Sequence, residues 1–180
     1  MIVLFGIAGS GKVTQAEILA GELNCPILST GELLRQNRDN PAVKAAVEKG
    51  VLVADTVLLP MIEKEFAKIG ATKNEFILDG TPRNEAQARW LADKIKSDQL
   101  KLTAIIHILL SKETALARLK LRGRHDDTEQ LISERFKFYE QSVVPAINYL
   151  ADQGFKITEI DGDHSVEEVA SQIRKTLAGS

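Results

Sequence analysis

The sequence predicts a three-layer α/β fold in which about five parallel strands are covered by helices on both faces. Three observations carry that reading. Short apolar runs bounded by turn residues recur at 2–5, 26–28, 76–78, 104–109 and 155–160, the lengths and boundaries of buried strands. Helical patterns separate them, at 12–23, in pieces across 32–69, and at 84–97, 112–119, 129–151 and 166–177. Strands separated by helices need crossover connections, and those build parallel sheets. The 180 residues, 44% of them hydrophobic, suffice for one buried core and are too few for two ordinary domains.

Taken in order, the apolar opening 2–5 has no basic leader and runs straight into glycines, so it reads as a core strand and not a signal peptide. Cys25, the only cysteine, excludes an intrachain disulfide and a cysteine zinc site, which fits a reducing cytoplasm. The stretch 30–69 carries no strand and is expected to form a helical insert beside the sheet. His107 falls in a strand pattern and should be packed there; with His125 and His164 it forms no ligand cluster, so no zinc is expected. Pro145 lies inside the long 129–151 pattern and should kink it. Ser165 followed by Glu168 is a capping box that starts the last helix. No stretch approaches the ~20 apolar residues of a membrane span, and a net charge of −2 offers no global attraction to nucleic acid or an anionic membrane. A cytoplasmic monomer without nucleic-acid or membrane partners is the expectation.

The chemistry starts after the first strand. Gly6-Ile7-Ala8-Gly9-Ser10-Gly11-Lys12-Val13-Thr14 has the spacing of glycine, four residues, glycine and lysine, between a strand and a helix. Glycines let successive N–H groups turn inward onto phosphate oxygens, the helix adds its positive end, and Lys12 can reach the outer phosphates. Val13 stands where the general pattern has Ser or Thr, with Thr14 one place later.

Other segments specify which phosphate chemistry. Gly11-Lys12-Val13-Thr14-Gln15 resembles the Gly-Lys-Gly-Thr-Gln of adenylate kinases. Ser29-Thr30-Gly31-Glu32-Leu33-Leu34-Arg35 resembles their Ser-Thr-Gly-Asp-Leu-Leu-Arg, and Gly50-Val51-Leu52-Val53-Ala54-Asp55 their Gly-x-Leu-Val-Pro-Asp. Asp79-Gly80-Thr81-Pro82-Arg83, with Gln87 beyond it, resembles Asp-Gly-(Phe or Tyr)-Pro-Arg. Arg118, Arg122-Gly123-Arg124-His125-Asp126-Asp127 and Arg135 resemble a short lid that is a few residues shorter still. Five motifs in family order identify the chain as a member of the adenylate kinase family, a P-loop NTPase-like fold.

The resemblance implies reversible phosphoryl transfer from ATP to AMP, giving two ADP, with Mg2+ accompanying ATP. Bringing two polyanions together demands positioning and positive charge, and arginine's planar fork suits phosphate oxygens. By resemblance Lys12, Arg83, Arg124 and Arg135 are catalytic. Gly9, Ser10, Gly11, Lys12, Val13, Thr14, Arg118 and Arg122 bind ATP, with Arg118 stacked on the adenine. Thr30, Gly31, Arg35, Val53, Gly80, Arg83, Gln87, Arg124 and Arg135 bind AMP, and Asp79 meets the metal through water. Asp126 and Asp127 pair with lid arginines and move no proton. The implied organisation is one kinase domain: core 1–29, 70–117 and 128–180, a monophosphate-binding insert 30–69 and a minimal lid 118–127.

Thr30 and Gln87 match adenylate-type enzymes, whereas pyrimidine-type relatives carry Ala and Asn there; Asn84 resembles the pyrimidine enzymes. A glutamine amide presents a donor beside an acceptor, as N1 and N6 of adenine require. A UMP/CMP kinase, a nucleotide-binding regulatory protein with little turnover, and a kinase of a non-nucleotide small molecule are the alternative readings.

Overall fold

The computed structural model describes residues 1–48, 52–123 and 127–179. Strands β1 (Ile2–Gly6), β2 (Ile27–Ser29), β3 (Ile77–Asp79), β4 (Ala104–Leu109) and β5 (Ile157–Asp161) form one parallel sheet in the order β2-β3-β1-β4-β5. Helix α1 (Lys12–Leu23) follows β1, and α2 (Thr30–Gln36), α3 (Pro41–Glu48) and α4 (Asp55–Ile69) fill the strandless insert. Helix α5 (Glu85–Lys96) leads to β4; α6 (Lys112–Arg122), α7 (Glu129–Phe138) and α8 (Val144–Asp152) lead to β5; α9 (Val166–Ala178) closes the fold.

Alternation along β1 explains the layers, since successive side chains of a strand point to opposite faces. Ile2 and Leu4 pack with Ala16 and Leu19 of α1 and Val169 and Ile173 of α9. Val3 and Phe5 face the other way, onto Leu91 of α5, Ile147 and Leu150 of α8, and Leu33, Leu58 and Ile62 of the insert. The insert is therefore anchored by its own apolar stripe: truncating the fully buried Ile62 to Ala should cost about 2–5 kcal/mol.

Two local expectations resolve in detail. The long helical pattern breaks into α7 and α8 through a π-helical turn, Tyr139–Val143, just before Pro145. Proline has no N–H to give to the carbonyl four residues back and its ring crowds that carbonyl, so the helix widens there. The capping box is formed: Ser165 Oγ accepts from Glu168 N at 3.3 Å, and Glu168 Oε2 accepts from Ser165 N at 2.9 Å.

Because all strands are parallel, their carboxyl ends share one edge, where ligands of such sheets bind. Leu4 of β1 lies beside Asp79 of β3 in register, so the loop after β1 and the carboxylate ending β3 meet at that edge. Among the described residues no helix is long and apolar enough to cross a membrane.

Candidate active site

Between β1 and α1, Gly11 caps the helix with φ +87°, a left-handed conformation that side-chain-bearing residues rarely adopt. Gly9 leans on α6, where a Cβ would lie 2.9 Å from the Ala115 carbonyl oxygen. Ser10 is buried, and its hydroxyl has no partner among the described residues. Val13 sits in the first turn of α1; Asn24 and Asp98 are the only described non-glycine residues at positive φ, so its backbone is unstrained. Its side chain is 54% exposed and disturbs no packing, and Thr14 beside it is exposed as well.

Lys12 folds back on this loop, its Nζ donating to the carbonyls of Gly6 at 2.5 Å and Ile7 at 3.2 Å. Burial of the ammonium lowers its pKa to about 8; Asp79 opposes the shift, and Arg83 and Arg122 add to it. The lysine is thus held in a basic neighbourhood that anions would relieve.

A cleft of about 370 Å3 opens in front of it, lined by Lys12, Gly31, Arg35, Gly80, Arg83, Arg122 and Arg135 over a floor that includes Thr81, Phe138, Tyr139 and Val143. Residues from the loop, from α2, from the β3–α5 turn and from α6 and α7 converge there. Arg124 lies outside the described residues, as do His125 and Asp126.

The arginines differ in how they are held. Arg35 bonds Glu32 through Nε at 3.0 Å and Nη2 at 2.7 Å, an exposed i,i+3 pair of small energetic worth. Arg122 makes two hydrogen bonds to Asp127, at 2.9 and 2.7 Å, and Arg135 a third at 3.1 Å, on a carboxylate that is 1% exposed. Arg83 donates from Nε to Gly80 O at 2.8 Å. Desolvation draws the Arg83 guanidinium below its ordinary value against the pull of Asp79, with Arg135 adding to it; it still stays charged. Arg118 is not among the residues lining the cleft; it donates to the carbonyls of Gly162 at 2.9 Å and His164 at 3.4 Å and so braces the β5–α9 loop.

Thr30, Asp79, Val53 and Gln87 are buried. Thr30 is buried and donates to the Asp79 carbonyl at 3.1 Å; Gly80, at φ +85°, leaves it room, since a Cβ there would come within 2.4 Å of the Thr30 hydroxyl. Asp79 itself is buried and accepts from Ser29 Oγ at 3.3 Å. Val53, itself in the insert, is buried in the core cluster that holds Leu33, Leu58 and Ile62. Gln87 is 1% exposed, its amide shared between Asp55 Oδ1, 2.6 Å away, and the Arg83 backbone N–H, 2.7 Å away.

Sequence reasoning assigned no role to Asp55, although it ends one of the quoted motifs, and it left Asn84 ambiguous. Asn84 is the N-cap of α5: its Oδ1 accepts from Gln87 N at 2.8 Å and its Nδ2 donates to Asp55 Oδ2 at 3.0 Å. An Asn directly before a helix start was the available signal. Also unforeseen was the pairing of His107 Nε2 with the Tyr139 hydroxyl at 2.5 Å beneath the cleft. Burial lowers the His107 pKa, against Glu159 and with Lys12, so the ring is neutral at pH 7. Among the described residues no group of three His, Cys, Asp or Glu side chains could hold a metal ion.

A glycine loop joining strand to helix, a lysine folded against it and a basic cleft at the carboxyl edge of a parallel sheet define a phosphate-loop α/β protein. A family model described as adenylate kinase matches residues 4–155. Adenylate kinase 1 of Nostoc sp. is 36% identical over 181 residues, covering 98% of this chain and 97% of that protein. The adenylate kinases of Mycobacterium sp. (strain MCS) and Xanthomonas oryzae pv. oryzae are each 36% identical, covering 98% of both chains in either case. The chain belongs to the adenylate kinase family.

Proposed function

We propose that the cleft in front of Lys12 carries the family's reaction, reversible phosphoryl transfer from ATP to AMP giving two ADP. The observation that carries it is the convergence of Lys12, Arg35, Arg83, Arg122 and Arg135 on one cleft of about 370 Å3. In a loose phosphoryl-transfer transition state charge spreads over the transferring oxygens, so a ring of fixed cations performs most of the catalysis.

Loop residues Gly9, Ser10, Gly11, Lys12, Val13 and Thr14 hold the ATP phosphates, and Lys12 exchanges two backbone carbonyls for phosphate oxygens. Arg118 lies at the adenine end. On the other side Arg35 leaves its weak pair with Glu32 for the AMP phosphate, which Arg83 also grips, while Thr30, Gly31, Val53, Gly80 and Gln87 shape the AMP pocket. Arg122 and Arg135 act from their anchorage on Asp127, and Arg124 joins them from the lid. A Mg2+ ion bound with ATP supplies further charge neutralisation; buried Asp79, with the Ser29 hydroxyl beside it, offers the hard oxygen donors that hold such an ion through water. Insert 30–69 and lid 118–127 are the parts that close, and the protein works as a cytoplasmic monomer on small-molecule substrates.

Asn84, the residue that resembles the pyrimidine enzymes, is occupied as the N-cap of α5. The test is a coupled assay of ADP formation from ATP, Mg2+ and AMP, CMP, UMP or GMP, with Lys12→Ala and Arg83→Ala as controls. AMP should be the best acceptor and both variants should be nearly inactive. CMP outpacing AMP, or activity surviving both substitutions, would sink the reading.

A further inference from the structure

The hydrogen-bonded seam between α4 and α5 does more than join the insert to the core. We propose that Asp55 is a positioning residue that locks the Gln87 carboxamide in one of its two flips. The locked site admits monophosphates whose base presents an amino group beside an unprotonated ring nitrogen, and rejects those presenting a carbonyl beside a ring N–H. The inference rests on the reading that Gln87 meets the acceptor base.

A carboxamide exchanges its oxygen and nitrogen by a half-turn about its last torsion, at little steric cost. Two neighbours remove that freedom here. Asp55 Oδ1, 2.6 Å from Gln87 Nε2, belongs to a carboxylate that only accepts. The Arg83 backbone N–H, 2.7 Å from Gln87 Oε1, only donates. A flipped amide would set oxygen against carboxylate and NH2 against N–H, losing both bonds and adding two repulsions. Asp55 is held in turn, because its Oδ2 accepts from Asn84 Nδ2 at 3.0 Å while Asn84 Oδ1 caps the Gln87 backbone at 2.8 Å. The three side chains close a ring that spans the insert and the core.

Among the described residues this leaves the amide one N–H and one oxygen lone pair, in a fixed order: acceptor on the Arg83 side, donor on the Asp55 side. Adenine and cytosine present an amino donor beside a ring-nitrogen acceptor; guanine and uracil present the reverse. A freely flipping glutamine could satisfy either pattern. Discrimination between amino and oxo bases therefore resides in Asp55 together with the Arg83 N–H and not in Gln87 alone.

The experiment compares AMP, CMP, GMP and UMP as acceptors at saturating ATP and Mg2+ for the full chain and its Asp55→Asn and Asp55→Ala variants. In both variants kcat/KM for GMP and UMP relative to AMP should rise about tenfold or more, chiefly through KM, with KM for ATP unchanged. A uniform fall for all four acceptors would make Asp55 a mere brace and overturn the proposal. A Gln87→Ala variant with an unchanged acceptor ranking would instead overturn the base-reading role of Gln87, and the proposal with it. A measurement on the unsubstituted protein needs no variant: the Gln87 side-chain amide protons should be protected from solvent exchange, and exchange as fast as an exposed glutamine's would refute the lock.

Discussion

The phosphate loop and the α4–α5 seam flank the same cleft, yet one is made of backbone and the other of side chains. At the loop, Gly9 and Gly11 set the conformation, and among the described residues Lys12 bonds to carbonyls five and six residues away in the chain. At the seam, Asp55 reaches Asn84 and Gln87 across separations of 29 and 32 residues. A backbone site tolerates side-chain change, which explains Val13, whereas a side-chain ring depends on the identity of each member.

The comparison can be broken first at Lys12. Lys12→Ala should lower kcat about 10²- to 10³-fold in the coupled assay, with thermal stability at neutral pH not lowered because the lysine is held at a desolvation cost; a parallel collapse of stability would show that the loop needs its side chain to fold.

The next effect is set by pH. Below about pH 8 Lys12 is charged before and after ATP binds, so ATP affinity should be flat; above it the free protein must take up a proton on binding. The ATP Kd, measured by titration calorimetry, should then rise toward about tenfold per pH unit. In the ligand-free protein the same lowered pKa costs stability below pH 8 and releases that cost between about 8 and 10.5, and Lys12→Met should abolish this upward trend.

Asp127→Asn should reduce kcat severalfold and cost about 2 kcal/mol in urea unfolding, since a buried carboxylate holding Arg122 and Arg135 is replaced by a neutral amide. Val13→Gly should do least. ATP Kd should move by less than about twofold and stability by under ~1 kcal/mol; a larger gain in affinity would mean that the branched side chain impairs the loop.

Much of the fold was legible because it depends on local patterning. The strand at β4 and the helix at α9 announce themselves by period and cap, and the glycine-lysine spacing after β1 identifies its loop without reference to any other segment. Gln87 was legible as a residue to watch, but its burial and its two partners were not. Asp55 carried no signal beyond its place in a motif, and Tyr139 none that linked it to His107 on β4.

By itself, then, the sequence determined the order of strands and helices and the glycine-lysine loop and offered a set of candidate cations, because these follow from side-chain periodicity, backbone freedom and charge. Only the tertiary structure decided how those cations are held and which way the Gln87 amide faces. Arg35 rests on an exposed glutamate, Arg122 and Arg135 on a buried aspartate, and Gln87 between an obligate acceptor and an obligate donor. Such pairings form between segments that approach only after the sheet and the insert have packed, so no local pattern records them.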